Sequence, residues 1–138
     1  MERPLTSPNL ESLERFAYAP ERVEKPWGYE LIWAKTGSYA GKILFVKAGE
    51  ALSLQFHRRK DESWYVLAGR AELELGRAGE AVMKKEVIMN GSAFHFEPGT
   101  VHRVTAVEDT TILEVSTPEL DDVVRLEDTY GREGTSQA

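Results

Sequence analysis

Leu52-Ser53-Leu54-Gln55-Phe56-His57, followed by the charged turn Arg58 to Asp61, then Glu62-Ser63-Trp64-Tyr65-Val66-Leu67 and Gly69, reads as two short strands and their connection. Side chains alternate between the faces of a strand, so Ser53, Gln55 and His57 share one face and Leu52, Leu54 and Phe56 the other. A polar face on so central a strand predicts an interior lined with polar groups. Working outward, short apolar or alternating runs recur at Tyr29–Trp33, Lys42–Lys47, Ala71–Leu75, Ala81–Met83, Glu86–Met89, Ala93–Phe96, His102–Val107 and Thr111–Ser116, with glycines between them. Many short strands at near-even spacing, with no long helical pattern among them, predict an all-β sandwich or barrel. Glu72 and Glu74 against Leu73 and Leu75 show the alternation of a strand with one face in water.

The flanks differ. Ser7-Pro8 resembles a helix cap with proline at the first helical position, and Leu10, Leu13 and Phe16 follow at helical spacing. Residues 1–26 are therefore expected to form a short helix and an extended lead-in, residues 27–133 a single barrel, and residues 134–138 a frayed tail. Thr117-Pro118 with Leu120, Val123, Val124 and Leu126 predicts a second short helix lying on the barrel.

Composition narrows the functional classes. The 138 residues suit one domain, and 41% hydrophobic content allows a core. A net charge of -6 argues against a nucleic-acid binder. Without cysteine there is no disulfide, thiolate metal site or cysteine nucleophile. No apolar run approaches the roughly 20 residues that span a bilayer, and the N-terminus lacks the apolar core of a signal peptide. The expectation is a cytoplasmic protein with no membrane partner.

Of three histidines, two sit in informative settings. Gln55 and His57 project together from one strand, Glu62 returns on the next, and His102 follows the Pro98-Gly99 turn far away in sequence. Two imidazoles, a carboxylate and an amide oxygen suit one divalent metal ion per chain (zinc, manganese, iron, cobalt or nickel) with positions left open for ligand. The plainer alternative is two satisfied histidines and a surface carboxylate.

These residues resemble the cupin superfamily. Gly49, Gln55, His57, Glu62 and Gly69 stand at the spacing of its first motif, with glutamine in place of one histidine, and Gly99 and His102 keep the register of its second. The fold implied is a double-stranded β-helix, or jelly-roll barrel. More narrowly, Lys25-Pro26-Trp27-Gly28-Tyr29, Leu52 to His57, Glu62-Ser63-Trp64, Gly99 to Arg103 and Asp121 to Arg132 look like the isomerase domain of type II mannose-6-phosphate isomerases. Lys60 departs from that family's usual arginine and His95 from its usual tyrosine, and no guanylyltransferase portion is seen. Sugar-nucleotide synthesis is therefore not expected of these residues.

The resemblance implies isomerisation of mannose 6-phosphate to fructose 6-phosphate through an enediolate. Metal ligands would be Gln55, His57, Glu62 and His102. Glu62, or His95 if it faces the cavity, would act as base, and Arg103 and Lys60 would hold phosphate, with Ser53 and Arg59 as further substrate contacts. Trp27 would wall the pocket or simply pack. Tyr130 or Arg132 would reach the site or a partner subunit, and a homodimer is expected. An iron-dioxygenase-like cupin and a non-catalytic sugar-binding cupin are the alternatives.

Overall fold

The computed structural model describes residues 16–80 and 83–136. The predicted N-terminal helix falls almost wholly outside them. Among the described residues, twelve strands form two six-stranded sheets, and every pairing is antiparallel. One sheet runs β1(Glu21–Lys25), β2(Gly28–Lys35), β3(Ala40–Val46), β10(Thr110–Ser116), β5(Glu62–Ala68), β8(Ala93–Phe96). The other runs β12(Gly134–Ser136), β11(Val123–Glu127), β4(Leu54–Phe56), β9(Thr100–Ala106), β6(Arg70–Arg77), β7(Lys84–Met89). Strands distant in sequence are neighbours in space, as a jelly roll requires.

No α-helix occurs among the described residues. The predicted C-terminal helix is β11 instead, paired with β4 and β12. Val123 and Arg125 are buried while Leu126 is exposed, a period of two rather than of 3.6. Two successive β-branched valines and the open edge of β4 decide the competition. The frayed tail expected from residue 134 is likewise strand over Gly134–Ser136, and the lead-in contributes β1 to the first sheet. Among the described residues no helix is long and apolar enough to cross a membrane.

Strand register divides the interior. Leu44, Ile112 and Val66 lie side by side across β3, β10 and β5, and all three are buried. Two residues along each strand, the next row is Lys42, Glu114 and Trp64, and the one after it Ala40, Ser116 and Glu62. One end of the barrel is thus a hydrophobic core shared with Leu73, Ile88 and Val104, and the other is polar although equally buried. Parity holds from Ser53 to His57. Leu52 departs from it: it precedes β4, bonds Val104 O through its N–H, and joins the core. Tyr65 lies on the outer face, exposed, whereas Trp64 is interior.

Two glycines are sterically required. A Cβ on Gly28 would stand 1.9 Å from Phe45 O, because β2 and β3 run that close. Gly69 turns β5 into β6 at φ +101°, and a Cβ there would lie 2.3 Å from Asp109 O.

Candidate metal centre and cavity

His57 follows β4, Glu62 opens β5 and His102 lies on β9, so the three come from both sheets. His57 Nε2 is 3.2 Å from Glu62 Oε2, and His102 Nε2 is 3.2 Å from Glu62 Oε1. Both Nε2 atoms and Glu62 Oε1 are buried without a hydrogen bond of acceptable geometry, Glu62 Oε2 is met by the Lys60 ammonium, and the ligand atoms of the three residues lie within 4.8 Å of one another. Orphaned buried polar atoms are costly unless something else satisfies them. A divalent cation does, and an N₂O donor set suits a first-row metal. The residues present therefore fit one.

The surroundings hold this arrangement. His57 Nδ1 meets Asp122 O at 2.5 Å and His102 Nδ1 meets Thr100 O at 3.0 Å, so a proton on each Nδ1 leaves the Nε2 lone pairs facing Glu62. Phe96 stacks on the His102 ring at 4.6 Å, with Trp64 edge-on to it at 5.5 Å. The Asp122 carboxylate accepts the N–H groups of Arg58, Arg59 and Lys60, folding that turn over the site. The Pro-Gly turn is tied in as Gly99 N–H donates to His57 O.

A buried chain of charges continues from the centre. Lys60 Nζ lies 2.9 Å from Glu62 Oε2 and 3.1 Å from Glu114 Oε2, and Trp64 Nε1 donates to Glu114 Oε1. Lys42 Nζ donates to Glu30 Oε2 at 2.7 Å, and Lys25 Nζ stands 3.4 Å from Glu30 Oε1. Burial works against charge on Glu62, yet the Lys60 ammonium foremost opposes it, and this carboxyl is held well below its ordinary range. Burial likewise opposes charge on Lys60, and Glu114 and Glu62 reverse that, raising it above the usual lysine value.

A cavity of about 40 Å³ opens beside the centre, lined by Trp27, Ser53, Gln55, His57 and Lys60, by Glu30, Lys42 and Glu114, and by Lys25, Arg125 and Arg132. Gln55 pairs directly across from His102, so it shares the interior face, and Ser53 Oγ donates to its Oε1 at 2.6 Å. The structure therefore brings Ser53, Gln55, His57, Glu62 and His102 together.

Other expected residues do not. Arg103 adjoins His102 and so points outward, its guanidinium bidentate on Glu74 at 2.6 and 3.1 Å. His95 pairs with Ser63 on the outer face and contacts Asp61 at 2.6 Å, so it is not a cavity base. Arg59 is exposed among Arg58, Glu119 and Asp121, outside the cavity. Lys60 does line the cavity, but its ammonium is committed to two carboxylates. Sequence reasoning missed Lys25, Glu30, Lys42, Glu114 and Arg125. The available signal was parity, since Lys42 alternates in phase with Ala40, Leu44 and Val46 on β3, and Glu114 shares the face of Ile112 on β10.

A two-sheet antiparallel barrel with two imidazoles and a carboxylate converging inside one end is a cupin. Residues 14–128 match the family described as Mannose-6-phosphate isomerase C-terminal, and the chain belongs to that family. It is 32% identical over 131 residues to mannose-1-phosphate guanylyltransferase 2 of Escherichia coli O157:H7, covering 90% of this chain but only 26% of that protein. KdgF from Halomonas sp. superposes with a TM-score of 0.60 at 25% identity, over 72% of this chain and 88% of that one. Bacillus subtilis oxalate decarboxylase, a protein with Mn(II) centres, gives a TM-score of 0.66 at 20% identity over 77% of this chain and 30% of that one, a likeness of fold.

Proposed function

We propose that this chain is a metal-dependent aldose–ketose isomerase that converts mannose 6-phosphate to fructose 6-phosphate. The observation that carries the reading is the pairing of the His57, Glu62 and His102 centre with a cationic cavity, in a chain of this family. Five basic side chains (Lys25, Lys42, Lys60, Arg125 and Arg132) line the cavity against Glu30, Glu114 and the adjoining Glu62 and Asp128, a surplus of one positive charge that a bound divalent cation would raise to three. Such a surplus favours a dianionic ligand.

His57, Glu62 and His102 would hold the cation, with Gln55 as a fourth donor, and the cation would act there as a Lewis acid on the substrate's oxygens. Proton transfer between C1 and C2 falls to a carboxylate of this chain. Glu62 is committed to the centre, and Glu114 has both oxygens engaged by Lys60 and Trp64. Glu30 is bonded by Lys42 at Oε2 and met at 3.4 Å by Lys25 at Oε1, and its carboxyl is held low: burial opposes this, and Lys42 and Lys25 outweigh burial. Glu30 is therefore an anion at neutral pH facing the cavity, and we assign it the base role in place of His95. The cavity as it stands has room for a cation and two or three waters. Small-molecule sites usually need roughly 300–1,000 Å³, so a sugar phosphate would require the rim to open.

A coupled assay of mannose 6-phosphate conversion with a divalent-metal series tests the reading. Turnover that needs metal and falls about 100-fold or more in Glu30→Gln, with metal content unchanged, supports it. Oxygen uptake with iron and no sugar-phosphate turnover would replace it with an oxygenase. Ligand binding without turnover would leave a binding module.

A further inference from the structure

Basic side chains from three separate segments meet on one wall of the cavity. Arg125 of β11 lies directly across from Gln55 of β4 and is buried. Lys25 ends β1, and Arg132 sits on the turn between β11 and β12. All three line the same cavity as His57 and Gln55.

Arg132 is held in place by its own turn. Asp128, whose side chain is fully buried, accepts its backbone N–H at 2.7 Å, its Nε at 2.9 Å and its Nη2 at 3.1 Å. Those bonds occupy the Nε/Nη2 edge of the guanidinium and leave the Nη1 edge for a ligand. Between them Tyr130 packs on the core, donates its hydroxyl to Glu50 Oε2 and accepts the Ala51 N–H. The turn is thus anchored to the barrel on one side and presents Arg132 to the cavity on the other.

Burial disfavours charge on both Lys25 and Arg125, and the nearby Arg132 disfavours it further in each. Glu30 offsets part of this at Lys25 and Asp128 part at Arg125. Like charges crowded in a partly dry wall gain most from an anion bound among them, and a phosphate monoester offers two negative charges and three acceptor oxygens.

We propose that Arg125 and Arg132, assisted by Lys25, form the subsite that takes the phosphate group of the substrate, with Asp128 and Tyr130 as positioning residues for Arg132. This rests on the sugar-phosphate reading and moves the phosphate contact away from Arg103, Arg59 and Lys60. It also orients the substrate, with its phosphate at the β11 wall and C1 and C2 toward His57 and Gln55.

The test is inorganic phosphate binding by calorimetry on the chelator-treated full chain, alongside mannose 6-phosphate kinetics on the metal-loaded chain. Arg132→Ala, checked for retained fold by thermal melts because it unpairs the buried Asp128 carboxylate, should weaken phosphate about tenfold or more, and Arg125→Met similarly. Asp128→Asn should raise KM several-fold at constant kcat, a split that general destabilisation does not produce. Arg103→Ala should leave binding unchanged. Wild-type protein that fails to bind phosphate, or Arg132→Ala that binds as wild type does, overturns the subsite. Phosphate binding that tracks these variants in a protein without turnover keeps the subsite and removes the isomerase reading. Turnover undisturbed by Arg132→Ala does the converse.

Discussion

Lys60→Met on chelator-treated protein probes the buried charge chain most directly. The ammonium is 3% exposed and bridges Glu62 and Glu114 at 2.9 and 3.1 Å. Replacing it with a thioether of similar length leaves two carboxylates facing each other without a counter-ion. Breaking a buried pair from one side costs about 3–5 kcal/mol. At roughly 2.1 cal/mol/K per residue, that lowers Tm by about 10–17 °C for a domain of this size. The pH dependence adds a second check. The folded-state carboxyl of Glu62 is depressed below its ordinary 4.5, so its contribution is fully present above that value and is lost as pH falls below it. Lys60 supplies much of the depression, so the stability gap between wild type and variant should narrow on acidification. Urea melts at pH 7 and pH 4 measure both quantities, and Lys60→Met/Glu114→Gln should recover part of the loss. A loss below about 1 kcal/mol at pH 7, or a gap that widens in acid, would refute the claim that this ammonium holds the polar end of the barrel together.

His102→Ala should abolish stoichiometric metal uptake, read by elemental analysis against about one ion per chain in the parent. Arg103→Ala should leave kcat/KM within about twofold because Arg103 lies on the outer face, and cost about 1–3 kcal/mol because it unpairs the largely buried Glu74; a large loss of turnover at intact fold would return Arg103 to the site. Gly69→Ala should destabilise by about 2 kcal/mol or more in denaturant melts, since its φ of +101° and the 2.3 Å approach to Asp109 O both resist a side chain.

The metal trio was legible because its chemistry demands particular residue types, and short punctuated spacing places them on strands whose parity can be counted. Parity that puts Gln55 beside His57 also puts Arg103 opposite His102; the family likeness drew Arg103 inward against that rule. Lys42, Glu114 and Arg125 escaped notice because charge on a strand reads as solvent contact until the sheet order shows which face is closed. Residues 120–126 satisfy helical and strand periods alike, and only the free edge of β4, a partner far away in sequence, resolves them. The anchoring of Arg132 through Asp128 and Tyr130 depends on a turn folding back on Glu50 and Ala51, which no local pattern announces.

Because His57 and His102 belong to one sheet and Glu62 to the other, an ion seated among them would rivet the two layers together. Loading would then be the last stitch of folding as well as the first requirement of chemistry. A starved cell would accumulate barrels that are easier for proteases to prise apart, so metal supply would set how much of this protein survives and, on the proposed reading, how fast it works.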